Sequence, residues 1–373
     1  MLLDRGADCN RCDKDEKPPL MFACSKEYTE IVKILLDRGA DPNKCDKDMW
    51  SPLMLACGNR YIEIVKILLN SGADCNKCDN KGWSPLILVC DRGYTEIVEI
   101  LLDKLADYDK CVKQIWSPLM LACGNGYKEI VSMLLDSGAG CNKWDIDMWS
   151  PLMFACNKGY TEIVRMLLDR GTDSDKCDKK GKSPLMIACF NGCTEIVKIL
   201  LDKRVDCNTL DQVGWSPLIF ASLKGYTEIV KMLLDRGADC DSCDEDEKSP
   251  LMFACSKEYT EIVKILLERG ADPDKCDKDM WSPLMPACGN RYIEIVRILL
   301  DSGADCNKCD KDGWSSLMFA CEEGSTEIVK MLLDSGADCN KCDQDGWSPL
   351  MRAFGNRYTE IVRMLIDKDS DNG

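Results

Sequence analysis

Trp215-Ser216-Pro217-Leu218-Ile219-Phe220-Ala221-Ser222-Leu223-Lys224-Gly225-Tyr226-Thr227-Glu228-Ile229-Val230-Lys231-Met232-Leu233-Leu234-Asp235-Arg236-Gly237 is the stretch whose reading decides the fold. Ser216 before Pro217 is a helix start: a hydroxyl suited to the N-cap, then a proline where its missing N–H costs nothing. Leu218, Ile219 and Ala221 give this helix its apolar face, and Gly225 ends it. Thr227 and Glu228 open a second helix, with an acid at its positive end. Ile229, Val230, Met232, Leu233 and Leu234 fill that helix too densely for one stripe, so it must be packed on more than one side. Gly237 stops it. The segment that follows, Ala238 to Cys243, has turn chemistry and no helical period. Neither helix reaches the length at which isolated helices hold together, so units of this kind are stable only when stacked.

Worked outward, the pattern recurs along the whole chain. The proline of the Ser-Pro-Leu element falls at 19, 52, 85, 118, 151, 184, 217, 250, 283 and 349, with Ser316 in its place once. Each step is 33 residues, without insertion or deletion. The reading is a single array over 1–373: ten full modules over 13–342 and a last, capping module over 343–373. Residues 1–12 are a remnant of a module that begins inside its second helix, from which we expect further coding sequence upstream. The polar run Asp367-Lys368-Asp369-Ser370-Asp371 suits a capping end. Residues 14–79 and 245–310 are nearly the same sequence displaced by seven periods, with Lys14 against Glu245 and Leu55 against Pro286 among the differences. Such duplication favours repetitive or multivalent contacts. Leu105 and Arg204 stand where most modules have the helix-ending glycine, and must accept a positive φ or reshape the turn.

The recurrent Trp-Ser-Pro-Leu-Met-x-Ala-Cys, Gly-Tyr-Thr-Glu-Ile-Val-Lys-x-Leu-Leu-Asp and Gly-Ala-Asp-Cys-Asn resemble the ankyrin repeat, whose period is 33 residues and whose signature is Thr-Pro-Leu-His-x-Ala. The resemblance covers essentially the whole chain. It implies an all-α solenoid of stacked helix–turn–helix modules with protruding β-turn or hairpin loops. Where the family favours histidine after Pro-Leu, this chain has Met54, Met120, Met153 or Ile219. The hydrogen bonds that histidine makes are absent, which predicts looser turns.

Composition narrows the function. Of 373 residues 64 are acidic and 48 basic, a net charge of −16, which disfavours nucleic acid and anionic lipid because both need a basic footprint. A partner steered by charge would carry a basic surface. The absence of histidine removes Ser-His-Asp and Cys-His chemistry. Carboxylates such as Glu63, Glu96, Glu129 and Glu162 recur by module, whereas a catalytic pair needs one convergent site; helix opening explains them. No apolar run approaches the ~20 residues that span a bilayer. The chain is expected to be no enzyme, probing as an intracellular, monomeric protein with no catalytic residue.

Twenty-six cysteines fall into ladders. Cys24, Cys57, Cys90, Cys123, Cys156, Cys189, Cys255, Cys288 and Cys321 follow alanine in the first helix and read as small buried hydrophobes. Cys45, Cys78, Cys111, Cys177, Cys243, Cys276, Cys309 and Cys342 end a module, and Cys75, Cys141, Cys207, Cys240, Cys306 and Cys339 form a third set. Equivalent positions in stacked modules lie about 8–10 Å apart, beyond the ~7 Å that a disulfide tolerates. Cys-x-x-Cys pairs such as Cys306/Cys309 are half a zinc site with the other half too distant. No metal and no cofactor are expected, and the thiols suit a reducing, cytoplasmic compartment.

Trp50, Trp83, Trp116, Trp149, Trp215, Trp281, Trp314 and Trp347 share one module position. In proteins this chain resembles, that residue sits on the turn tip, and the tips line one edge of a concave groove. The resemblance places Lys47 and Asp48, and the late first-helix residues Asn157, Lys158, Glu322 and Glu323, on the same face. Aromatics there are good anchors for a protein partner, and packing of each ring against the neighbouring turn is the other role open to them. The expected function is a scaffold or adaptor binding proteins through that face; the alternative is a regulatory segment of a larger enzyme or channel.

Overall fold

The computed structural model describes residues 8–110, 112 and 116–371, with side chains as far as residue 368. The half-helix expected at residues 1–7 and Cys111 lie outside the described residues. The chain divides into two compact units, residues 1–179 and 180–373. In the first unit the helix pairs are Pro19–Ser25 with Thr29–Asp37, Pro52–Gly58 with Ile62–Asn70, Pro85–Arg92 with Thr95–Asp103, Pro118–Asn125 with Lys128–Asp136, and Pro151–Lys158 with Thr161–Asp169. In the second they are Pro184–Phe190 with Thr194–Asp202, Pro217–Lys224 with Thr227–Asp235, Pro250–Ser256 with Thr260–Glu268, Leu284–Gly289 with Ile293–Asp301, Ser316–Glu322 with Thr326–Asp334, and Pro349–Gly355 with Thr359–Asp371. Among the described residues only two isolated β-bridges occur, Val112 with Trp116 and Cys309 with Ser315. The architecture is all-α.

Within each unit, first helices pack on first helices and second helices on second helices of the adjacent pair. Leu218, Ile219, Ile229, Val230 and Leu233 of the type module are fully buried, and their counterparts one period away, such as Leu251, Ile262 and Leu266, bury the same way. Each such side chain contributes about 1.5–3 kcal/mol, realised only when the neighbouring pair is present.

Helix starts follow the hydroxyl rule. The Ser216 Oγ accepts from the Ile219 N–H at 3.2 Å, and Ser51, Ser84, Ser117, Ser150, Ser183, Ser249, Ser315 and Ser348 cap in the same manner. Leu105 and Arg204 adopt φ of 59° and 62°, so the turn keeps its shape and the residue carries the strain. Modules are also clasped at the turn after the second helix. There the Asn43 Oδ1 accepts from the Asp74 N–H at 2.7 Å while its Nδ2 donates to the Gly72 carbonyl at 3.0 Å. The Asn307 side chain does the same toward Asp338 and Gly336.

Candidate functional site

The tip loops are closed by a group other than the family histidine. Asp46, the first residue of its module, is buried, and its Oδ1 accepts from the Asp48 N–H at 3.1 Å and the Trp50 N–H at 2.9 Å. Asp79, Asp145, Asp211, Asp277, Asp310 and Asp343 hold their own loops in the same way. Each of these tip turns is thus held by a carboxylate that accepts backbone N–H groups of its own loop. Each tip then donates to the one before it within a unit: Asn80 N–H to Asp48 O at 3.2 Å, Lys278 N–H to Asp246 O at 2.9 Å, and Lys311 N–H to Asp279 O at 3.0 Å.

Burial sets the chemistry of these carboxylates. Asp310 titrates above the ordinary carboxylate value because burial outweighs the N–H groups of Trp314 and Asp312. Asp343 is also pushed upward by burial, but the Trp347 N–H and the Arg352 guanidinium overcome that and hold it below the ordinary value.

On these loops the tryptophans stand half-buried, except Trp116 and Trp347, which are exposed. A ring faces the fifth residue beyond it, in the first helix of its own module, and often the same residue one module on. Trp149 lies 5.3 Å from Phe154, and Trp215 lies 5.0 Å from Phe220 and 5.6 Å from Phe253. Phe319 sits between Trp281 at 4.9 Å and Trp314 at 5.0 Å. The Trp149 Nε1–H also donates to the Asp178 Oδ2 at 3.2 Å. Packing between modules and availability at the surface thus coexist in one ring.

The last slot of this kind holds a cation. The Arg352 guanidinium lies 4.0 Å from the Trp314 ring centre and 5.0 Å from that of Trp347, donates to the Asp343 Oδ2 at 2.6 Å, and approaches Glu322 at 3.9 Å. Three of the residues singled out from sequence, Trp314, Trp347 and Glu322, are brought together by an arginine that the sequence reading passed over. The signal was present: the same place in other modules holds Leu55, Leu88, Leu121, Phe154, Ile187, Phe220, Phe253, Pro286 or Phe319, and Arg352 is the one polar member.

Lys47 is exposed and pairs with Asp15 of the preceding tip at 2.8 Å; that contact lowers the Asp15 carboxyl and raises the Lys47 ammonium. Asp48 serves the loop ladder through its backbone. Asn157 is half-buried, and Lys158 and Glu323 are exposed, at the ends of their first helices. Two pockets open on this face. One, of about 370 Å³, is lined by Lys17, Met21, Phe22, Ser25, Asp46, Asp48, Trp50 and Leu55. The other, of about 420 Å³, has the residues one duplication away, from Lys248 and Phe253 to Asp277, Trp281 and Pro286.

The first-helix cysteines Cys57, Cys90, Cys123, Cys255 and Cys288 are fully buried, which raises their thiols; Cys24 and Cys321, buried likewise, are pushed up to about 12. Such thiols pack and do not react. In a Cys-x-x-Cys pair the two sulfurs serve different turns: Cys75 Sγ points at the Lys104 carbonyl at 3.4 Å, Cys78 Sγ at that of Asn76 at 3.7 Å. Among the described residues no group of three or more His, Cys, Asp or Glu side chains is arranged to hold a metal, and no helix is long and apolar enough to cross a membrane.

A family model for ankyrin repeats matches residues 1–79, 71–147, 105–178, 152–244, 218–310 and 284–373. No curated protein matches the chain. Among solved structures, the ankyrin repeat domain of human ASB11 is similar at 27% identity and a TM-score of 0.54, over 60% of this chain and 99% of that one. The periodic helix pairs, the capped starts and the clasped tips are those of this family, and the chain belongs to the ankyrin repeats.

Proposed function

We propose that this chain is a scaffold that binds other proteins through the face formed by its loop tips and first helices. Ankyrin repeats are generally protein–protein interaction modules. The observation that carries the finer reading is the row of tip tryptophans, half-buried or exposed, all but Trp116 on a loop closed by an aspartate, with two pockets open on the same face. Rigid aromatic rings next to desolvated charge are what concentrates binding energy at a protein interface. The acidic balance of the chain favours partners with basic surfaces, and its many thiols favour a reducing, cytoplasmic setting. In this reading the protein acts as a monomer and catalyses nothing.

The test compares proteins captured in cells by the intact chain and by a Trp281→Ala/Trp314→Ala/Trp347→Ala variant shown by hydrogen exchange to keep its helices. Loss of a defined subset of partners is expected. An unchanged partner list would show that the rings serve packing alone.

A further inference from the structure

The first two modules of the second unit depart from the charge of the rest of the chain. Across their tips and first helices, residues 180–192 and 211–225, the charged side chains are Lys180, Lys182, Lys224 and Asp211. Asp211 is buried, and its Oδ1 accepts from the Val213 and Trp215 N–H groups at 3.1 and 2.9 Å. The accessible charge on this stretch is therefore all ammonium, in a protein whose net charge is −16. The next tip carries Asp244, Glu245, Asp246 and Glu247, which bounds the basic stretch on that side.

The same stretch presents an aromatic surface of its own. Lys182 stands at the tryptophan position of the tips, and Phe190 stands where every other module has serine, glycine, aspartate, asparagine, leucine or glutamate. Phe190 is 42% exposed and meets Phe220 edge-on at 5.8 Å, and Phe220 lies 5.0 Å from Trp215. Two ammonium groups stand over these rings. The Lys182 Nζ is 5.4 Å from the Phe220 centre and 5.9 Å from that of Phe190, and the Lys224 Nζ is 4.4 Å from Phe190. Lys224 is exposed and, among the described residues, makes no ion pair. An ammonium over a ring still has N–H groups to donate, and the carboxylate is the side chain that accepts them with charge.

We propose that this stretch binds an acidic segment of a partner protein, its carboxylates pairing with Lys182 and Lys224 and an apolar side chain between those carboxylates resting on Phe190. The proposal rests on the reading of this face as a protein-binding surface and specifies what one part of it recognises. It does not conflict with the acidity of the whole: long-range repulsion is screened within about 10 Å, whereas these contacts act at a few ångströms. A nucleic acid fits less well, because its continuous negative charge would run onto the acidic tip next door.

The experiment titrates the intact chain with three fluorescent peptides, Gly-Glu-Leu-Glu-Gly and its counterparts with glutamine or lysine in place of glutamate, read by anisotropy at physiological salt. Net charge alone predicts that the glutamate peptide binds worst. The proposal predicts that it binds about fivefold more tightly than the glutamine peptide, the size of two exposed ion pairs. Lys182→Gln/Lys224→Gln should bring that ratio to about one and leave the glutamine peptide unmoved. Lys66→Gln/Lys264→Gln removes the same charge from second-helix ion pairs and should keep the ratio. Phe190→Ala should weaken the glutamate and glutamine peptides alike. Glutamate binding no better than glutamine by the intact chain, absent binding of both included, overturns the proposal, as does a ratio that the two lysine variants lower equally or not at all. If it is overturned while the Trp281/Trp314/Trp347 variant still loses partners, the acidic assignment alone is wrong. If the partner list is also unchanged, the reading of the face falls with it.

Discussion

Leu55 and Pro286 occupy the same place in two nearly identical stretches, residues 14–79 and 245–310, and the local structures differ. At Leu55 the backbone N–H donates to the Ser51 carbonyl at 3.2 Å, the Ser51 Oγ caps the Met54 N–H, and the helix begins at Pro52. Pro286 has no N–H to give. The Met285 N–H turns to the Ser282 carbonyl at 3.1 Å, the buried Ser282 Oγ has no partner, and the helix begins at Leu284. Yet the flanking core is unchanged: Leu284, Met285, Ala287 and Cys288 are as buried as Leu53, Met54, Ala56 and Cys57. The lesson is that stacking fixes a module even where its own cap fails. A further difference works in the opposite direction. Pro18 offers no side-chain cap to the helix it precedes, whereas Ser249 accepts from the Met252 N–H at 3.3 Å.

The comparison is broken most directly by exchange. Leu55→Pro should cost about 3 kcal/mol, the effect of a proline that removes a helical hydrogen bond. Pro286→Leu should return part of that to its own module. Hydrogen exchange of the amides in the two pairs reads both; equal protection before and after would mean that the proline is already strain-free. Caps give the next effect. Ser51→Ala should destabilise its pair by ~1 kcal/mol, while Ser282→Ala should be neutral or favourable because it deletes an unsatisfied buried hydroxyl. Matched urea melts of the full chain settle this, and equal losses would contradict the account of the cap.

Smaller effects sharpen the likeness between the stretches. Met49 and Met280 both turn their tips with positive φ, 64° and 63°. Glycine at either should stabilise by about 0.5 kcal/mol, the relief of left-handed strain being partly offset by added chain entropy in the unfolded state. The smallest effect is electrostatic. Asp343 titrates below the ordinary 3.8, so the stability it contributes is present above that value and lost as pH falls through its lower folded value. Asp310 is the reverse: its raised value means that its charged form costs stability, and the cost is relieved as pH falls toward 3.8. Carboxyl NMR should find Asp310 titrating above Asp343, with Arg352→Gln moving Asp343 upward. A fixed Asp343 would remove the guanidinium as a cause.

Much of this was legible in the residues. Ser216-Pro217, Gly225 and Thr227-Glu228 place both helices of the type module within a residue of where they lie. Leu105 and Arg204 were visible as departures, and the backbone answers them with strain. The tip carboxylates recur almost as regularly, with Val112 the exception, but had no role in the sequence reading, because an aspartate accepting two N–H groups looks in sequence like any other aspartate. Arg352 was missed for a related reason: its partners Trp314 and Glu322 belong to the preceding module, and only the 33-residue step of the stack makes them neighbours.

The amino-acid order alone determined the period, the helix pairs and the alternation of apolar and turn positions, since these follow from local capping and from contacts three and four residues apart. Which side chain fills each slot between tips was decided by tertiary structure. There the register of one module on the next sets distances of a few ångströms between residues far apart in the chain, and burial determines whether a carboxylate serves its own loop or a cation beside it.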